Sequence, residues 1–226
     1  MRGRAEAYIE EFNIETKVDG WLSHIRQTAV PRLQLQLRPS KCALLIVDMI
    51  NYFAAPDGRC FLPAVKAILP RIQSILSAWR NLEGTIVFTR HGHTGAGDLG
   101  MMGRFYSSYI NINQTESEII KELSARPDEK IVKKTTYDAF NGTDLKDYLT
   151  AIGIDQVLIT GALTHLCCET TARSAFCHGF EVYFAADATA TTTEQLHFGS
   201  LSALADGFAM VMSEKEIIEQ CVQRKS

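Results

Sequence analysis

Three residues of types that act in acyl-transfer chemistry stand at comparable points of this 226-residue sequence. Asp48 follows the apolar run CALLIV, Lys134 ends the run KIVKK, and Cys167 comes a few residues after the run QVLITGAL. A thiol can attack a carbonyl carbon, a carboxylate can carry the thiol proton, and an ammonium can hold that carboxylate. The three residues are therefore a candidate catalytic set, provided that the fold brings them together.

Each of the three residues also has a purely structural interpretation. Asp48 could be a solvated turn acid or a helix cap, most lysines lie on the surface, and free cysteine packs like a small apolar residue. Cys167 stands beside Cys168, close to where the next helix should begin. A helix N-terminus and a nearby lysine lower the pKa of a thiol, so we expect a Cys167 pKa shifted toward neutrality.

The elements that must position these residues follow from the pattern after Lys41. Short apolar runs alternate with helical patterns, which predicts an α/β fold: a three-layer α/β/α arrangement with a six-stranded, mostly parallel, doubly wound sheet. In such a sheet the working residues gather at the carboxyl ends of the strands. The predicted strands are 42–50, 84–91, 130–134, 156–163, 181–189 and 207–213, and the predicted helices are 63–81, 115–125, 143–153, 168–179 and 191–207.

An N-terminal arm at 1–40 precedes the domain, which is expected at 41–226. The arm is mostly helix-compatible, and Leu33, Leu35 and Leu37 alternate with polar residues as in a half-buried extended chain. It either wraps its own domain or reaches a neighbouring subunit. One domain is not expected to cover all of its apolar residues, so we expect a homo-oligomer, a dimer or tetramer, to which the arm contributes. These residues are Tyr8, Ile9, Phe12, Ile14, Trp21, Leu22 and Ile25.

The composition narrows the class of protein. A hydrophobic fraction of 46% and a charged fraction of 22% are ordinary for a soluble globular protein. The net charge of −3 argues against a nucleic-acid partner, and the apolar runs are too short to span a membrane. The first residues lack the apolar segment of a secretory signal, and the six cysteines are interpreted as free thiols. We expect a cytoplasmic protein that acts on a small molecule.

Four segments resemble the signature segments of the isochorismatase-like cysteine hydrolases, a family that includes nicotinamidases, N-carbamoylsarcosine amidase and isochorismatase. They are ALLIVDMINYF, VKKTTYDAF, ITGALTHLCCETTARSAF and FAADATAT, and they occur in the family's order between Lys41 and Ser213. The resemblance implies hydrolysis of an amide-type C–N bond through a cysteine thioester. Asp48 matches the family's general base, Lys134 its lysine and Cys167 its nucleophile.

The motifs of the family that the sequence resembles decide which lysine and which cysteine match. The arrangement K-x-x-Y-x-A-F is satisfied by Lys134 and not by Lys133, and G-x-x-T-x-x-C selects Cys167. Cys168 falls where relatives usually carry a small apolar residue, so it is expected to pack. The resemblance also implies a cis peptide between Ala162 and Leu163, with the backbone amides of Leu163 and Cys167 forming an oxyanion hole.

The substrate-binding predictions concern residues near these motifs. Phe53, Tyr137 and Phe140 could form walls of the substrate pocket, although aromatic residues near a core often only pack. Thr164 is expected to contact substrate, and Arg104 could either bind a substrate carboxylate or lie in a solvated loop. Among the histidines, His165 is interpreted as part of the helix start, and His178 and His197 as surface residues.

The sequence departs from nicotinamidases in the metal-binding region. Those relatives carry D-x-H, whereas this chain reads FTRHGHTGAGD, with Arg90 or His91 in place of the acid. We therefore predict no metal and no other cofactor, and we expect His91 and His93 to be solvated. Two alternatives stay open: an isochorismatase-type vinyl-ether hydrolase that uses Asp48 as an acid, and a catalytically silent binding or assembly module.

Overall fold

The computed structural model describes residues 5–28 and 35–222. Its centre is a six-stranded sheet in the order β3-β2-β1-β4-β5-β6, in which every neighbouring pair is parallel. The predicted doubly wound sheet is confirmed, and it is entirely parallel. The strands are β1 Cys42–Val47, β2 Ile86–His91, β3 Lys130–Lys134, β4 Gln156–Ala162, β5 Glu181–Ala190 and β6 Met210–Met212.

Helices cover both sides of the sheet, which explains the continuous apolar runs of its central strands. Every residue of β1 and of β4 is buried. The helices are α1 Ile14–Thr28, α2 Asn51–Ala54, α3 Val65–Asn81, α4 Gly100–Phe105, α5 Leu145–Ala151, α6 Glu169–Cys177, α7 Glu194–Gly207 and α8 Glu214–Val222. None of the helices in the described ranges has the length and apolarity that crossing a membrane requires.

The chain winds in two directions from the middle of the sheet. From β1 it proceeds outward to β2 and β3, and it then returns to β4 on the other side of β1 and proceeds to β5 and β6. A crevice forms at the carboxyl ends of the two strands where the winding reverses. Gly161 lets β4 approach β1 closely there: its φ is +108°, and a Cβ at this position would lie 2.1 Å from the Val47 carbonyl oxygen.

The helix predicted at 115–125 does not form. This stretch contains two short 3-10 turns, Thr115–Ser117 and Lys121–Leu123, separated by extended backbone. The Glu118 carbonyl accepts from the Asn51 amide at 2.9 Å, and the Ile120 amide donates to the Met49 carbonyl at 3.0 Å. Pairing with the chain after β1 therefore satisfies backbone groups that a helix would have used, a contact that local sequence does not encode.

The arm packs on its own chain. Its apolar residues are buried within one subunit, except Phe12, which is 82% exposed. The expectation that one domain leaves these apolar residues uncovered is therefore wrong for all of them except Phe12. Of the three leucines expected to alternate, Leu37 is buried and Leu35 is exposed, whereas Leu33 lies outside the described residues.

Candidate active site

The carboxylate, the ammonium and the thiol selected from the sequence meet at the carboxyl edge of the sheet. Asp48 follows β1, Lys134 ends β3, and Cys167 lies in the turn that follows β4. Lys134 Nζ is 2.7 Å from Asp48 Oδ2, and both side chains are completely buried. The Cys167 side chain lies near enough to both of these residues that each shifts its pKa. The fold therefore brings all three together.

The Asp48–Lys134 pair is ionised in spite of its burial. Burial alone raises the pKa of Asp48, but the Lys134 ammonium and the hydrogen bond from Thr89 hold that pKa below its usual value. Burial alone lowers the pKa of Lys134, and the charge of Asp48 more than reverses the effect. Thr89 Oγ1 donates to Asp48 Oδ1 at 2.5 Å and accepts from the Asp48 amide at 3.0 Å. Sequence analysis missed Thr89, although a buried threonine in the run IVFTRH is a recognisable signal.

Cys167 rests as a thiol, not as a thiolate. Burial raises the pKa of Cys167 to about 12, with Lys134 opposing this effect and Asp48 adding to it. The prediction of a pKa near neutrality is therefore wrong, because the desolvation of a side chain that is only 4% exposed outweighs the nearby ammonium. A thiol in contact with a carboxylate can still become a nucleophile if its proton moves to that carboxylate during attack.

A single π-helical turn, Thr164–Cys168, carries the predicted nucleophile, Cys167, and leads directly into α6. The Leu163 carbonyl accepts from the amides of Leu166 at 3.1 Å and Cys168 at 3.2 Å, which closes the turn around Cys167. The peptide bond between Ala162 and Leu163 is cis. Cys168 is completely buried and points its sulfur at the Thr160 carbonyl, 3.9 Å away, so it packs.

The first residue of this turn is held by a buried histidine. His197 is completely buried, so its prediction as a surface residue is wrong. Its Nε2 lies 3.1 Å from the Ala186 carbonyl oxygen and must donate, while Nδ1 lies 2.9 Å from Thr164 Oγ1. Burial lowers the pKa of His197 to about 3, so the neutral ring accepts at Nδ1 and Thr164 donates. Trp21 of the arm packs against this imidazole, with ring centroids 4.9 Å apart.

Cys167 faces a small cavity of about 160 Å³. A larger cavity of about 910 Å³ adjoins it and shares five lining residues with it, Met102, Tyr106, Tyr137, Leu163 and Leu166. The hydroxyl groups of Tyr106 and Tyr137 form a hydrogen bond of 2.6 Å. The residues that line the small cavity are predominantly aromatic, imidazole or hydroxyl-bearing, and they include Tyr52, Phe53, Cys60, His91, His93, Ser107, Ser108 and Tyr109.

Only two of the five predicted substrate-binding side chains, Phe53 and Tyr137, line the cavity of Cys167. Phe140 is buried and stacks on Phe180, with centroids 5.7 Å apart. Arg104 is exposed on α4, and Thr164 is committed to His197. Neither these two residues nor Phe140 belongs to the cavity lining, so the structure does not support their predicted contact with substrate.

The remaining histidine predictions have mixed outcomes. His165 lies in the nucleophile turn, as expected, half-buried and with Nδ1 2.5 Å from Thr191 Oγ1. His178 is exposed. His91 and His93, predicted to be solvated, are only 6% and 1% exposed, because the segment around Ile110 and Ile112 covers the end of β2.

The donor set at His91 and His93 does not fit a tightly held metal ion. Their rings pack edge to face with centroids 5.2 Å apart. Within residues 5–28 and 35–222 no group of three or more His, Cys, Asp or Glu side chains is arranged to hold a metal. Protein metal sites of the zinc type need at least three such ligands, and the described side chains do not supply them.

Fold and site together define a doubly wound α/β protein with a cysteine at a strand-to-helix turn, and comparison with known proteins gives the family. A family model described as the isochorismatase domain matches residues 42–216. Nicotinamidase 3 of Arabidopsis thaliana is 41% identical over 174 residues, which cover 75% of this chain and 83% of that protein. The isochorismatase of Bacillus subtilis is 28% identical over 80% of this chain and 58% of its own length.

A solved structure gives the same result. The cysteine hydrolase from Pseudomonas syringae pv. phaseolicola superposes with a TM-score of 0.83 at 27% identity, over 87% of this chain and 99% of that one. The chain belongs to the isochorismatase family of hydrolases. The resemblance in the four sequence segments is thereby confirmed.

Proposed function

We propose that this protein hydrolyses the C–N bond of a small, uncharged amide through a thioester on Cys167. The observation that carries the proposal is the buried Asp48–Lys134 ion pair beside the Cys167 thiol, whose pKa both residues shift. Such a triad contains a nucleophile, a proton carrier and a fixed positive charge at one point.

In the first half-reaction, Cys167 Sγ attacks the amide carbon while its proton passes to the Asp48 carboxylate. The carbonyl oxygen becomes an oxyanion, for which the backbone amides of Leu163 and Cys167 are the proposed donors. The C–N bond then breaks, and Asp48 gives the proton to the departing nitrogen, which leaves as ammonia or an amine. Lys134 offsets the negative charge of Asp48 before and after each transfer.

In the second half-reaction, Asp48 accepts a proton from water, and the resulting hydroxide attacks the thioester carbon. The carbon–sulfur bond breaks, the acid departs, and the proton on Asp48 returns to the sulfur. The thiol and the carboxylate are then as they began. The high pKa of Cys167 suits this scheme, because it makes the sulfur a strong nucleophile once Asp48 has taken its proton.

Two features favour an amide over isochorismate. Vinyl-ether hydrolysis needs Asp48 as an acid, yet the pKa of this carboxyl group is held below its usual value by Lys134 despite burial. Isochorismate also carries two carboxylates, which a site would bind with Arg or Lys. Among the described residues that line the Cys167 cavity there is no arginine or lysine. An uncharged amide needs neither an acidic Asp48 nor a cationic wall.

Kinetics on matched variants test the proposal. Wild type, Cys167→Ser and Cys168→Ala are assayed on a panel of small amides that includes nicotinamide, and on isochorismate. We expect amide turnover in wild type and Cys168→Ala, none in Cys167→Ser, and an acyl adduct on Cys167 in the mass of acid-quenched wild type. Full activity of Cys167→Ser on isochorismate would establish the vinyl-ether alternative, and inactivity of wild type on every compound would favour the silent module.

Chelation tests the prediction that no metal is needed. Because the described donor groups do not form a three-ligand site, amide turnover should survive exhaustive dialysis against EDTA. Loss of activity that zinc or iron restores would contradict this.

A further inference from the structure

His91 places an imidazole beside the catalytic pair. It is the last residue of β2, paired in register with Lys134 across the sheet, and it lines the cavity of Cys167. The charges of Lys134 and Asp48 both act on its ring, so the ring lies close to the groups that handle the proton. Its ring therefore stands in the wall of the cavity that Cys167 also lines.

One nitrogen of this ring has no partner. His91 Nδ1 is buried and makes no hydrogen bond. The backbone of Thr136 raises the pKa of the ring, as a carbonyl near a ring N–H does, so we assign the ring proton to Nε2 and leave Nδ1 as an acceptor. Burial and the Lys134 charge lower the pKa of His91 to about 4, so the ring is neutral and Nδ1 keeps its lone pair. A buried acceptor without a donor is uncommon in native proteins and calls for an explanation.

The neighbouring imidazole provides a contrast. His93 lines the same cavity, but its Nδ1 already lies 3.1 Å from the Asp98 carbonyl oxygen and 3.5 Å from Asp98 Oδ1. The two rings pack edge to face in the same wall. Of this pair, His91 alone offers a ring nitrogen that is both buried and unpaired.

We propose that His91 Nδ1 accepts a hydrogen bond from the N–H of the substrate's scissile amide or ureido group. This inference rests on the proposed amide hydrolysis and names its substrate class: small acyl compounds that bear an N–H on the reacting carbonyl, in preference to esters or tertiary amides of the same acid. His91 is then a specificity-determining residue, and the bound substrate supplies the donor that the buried nitrogen lacks.

Binding to a variant that cannot turn over separates this inference from the chemistry. In the Cys167→Ala background, calorimetry compares acetamide, benzamide and nicotinamide with the methyl esters of the same three acids. We expect at least one amide to bind about threefold to tenfold more tightly than its ester, the range that one hydrogen bond supplies. Adding His91→Phe should bring the ratio of the ester Kd to the amide Kd near one. His91→Gln keeps an acceptor and should therefore retain part of the preference for the amide.

His93→Phe is the matched control, since it removes an imidazole from the same wall and should change the affinity for amide and ester alike. Circular dichroism and thermal melting check that each variant folds. His91→Leu is a second apolar variant for use if His91→Phe does not fold. A preference that persists in both apolar variants overturns the inference, as does a parent that binds no amide or binds amide and ester equally. Failure of the thioester proposal would be seen separately, as a missing adduct in the wild-type enzyme.

Discussion

Replacing Lys134 by methionine should make the stability of this protein depend on pH in a direction opposite to that of the wild type. Methionine preserves the length of the side chain and removes its charge, so Asp48 stays buried and keeps the hydrogen bond from Thr89 but loses its cation. Leaving one member of a buried ion pair without its partner costs about 3–5 kcal/mol at neutral pH. The wild-type distance of 2.7 Å and the complete burial of both side chains place this pair in that class.

The sign of the pH dependence follows from the pKa of Asp48 in each protein. In the wild type that pKa is lowered, so the pair stabilises the fold above the unfolded-state pKa of about 4, and the stability is lost as pH falls through the folded value. Without Lys134, desolvation dominates and raises the folded pKa above that of the unfolded chain. The variant then loses about 1.4 kcal/mol per pH unit, relative to wild type, as pH rises from about 4 to its own folded pKa.

Urea unfolding at several values between about pH 5 and pH 8 measures this difference. Lys133→Met is the matched control, because Lys133 lies on the same strand with an exposed side chain and should change stability by less than about 0.5 kcal/mol. Adding Asp48→Asn to Lys134→Met should remove the pH dependence, and asparagine tolerates the φ of +46° at that position. A loss for Lys134→Met that is below 1 kcal/mol at pH 7, or constant with pH, would refute the reasoning.

Two further predictions concern the support of the nucleophile turn. Thr164→Val and His197→Leu should each lower kcat more than they raise KM, whereas Thr164→Ser should stay close to wild type. A double-mutant cycle should give a coupling energy of about 1 kcal/mol between the two positions. Strictly additive effects would contradict the hydrogen bond between them. Trp21→Ala should destabilise the protein by about 3–5 kcal/mol in urea unfolding, because the side chain is buried and donates to Glu194, whereas Phe12→Ala, at an exposed position, should change little. Equal effects of the two arm substitutions would mean that the arm does not pack on its own chain in solution.

The convergence of Asp48, Lys134 and Cys167 could be predicted from the sequence because it depends on regular elements. Asp48 and the turn of Cys167 follow β1 and β4, which are neighbours, so any parallel sheet with this winding brings them together. Lys134 is less direct: β3 is separated from β1 by β2, and only the strand order shows that a long side chain must reach across to Asp48.

What the sequence did not predict depends on packing between distant segments. The burial of His91 is set by an irregular segment around Ile110 that no local pattern describes. His197 could have been recognised, since it shares a helical spacing with Leu201 and Leu204, both buried on α7. The thiol pKa was misjudged because the sequence indicates which charges are near but not how completely water is excluded.

The docking of the arm has a consequence for the order in which the protein can be completed during synthesis. Three contacts of the arm are with residues late in the chain: Tyr8 accepts from the Thr191 amide, Trp21 packs on His197, and Lys17 pairs with Glu194. A segment that leaves the ribosome early must therefore keep its apolar side uncovered until most of the sheet has been made. A nascent chain that stops before α7 holds Asp48, Lys134 and Cys167 but lacks the imidazole that fixes Thr164. The finished nucleophile turn is thus available only to a chain in which both ends have met.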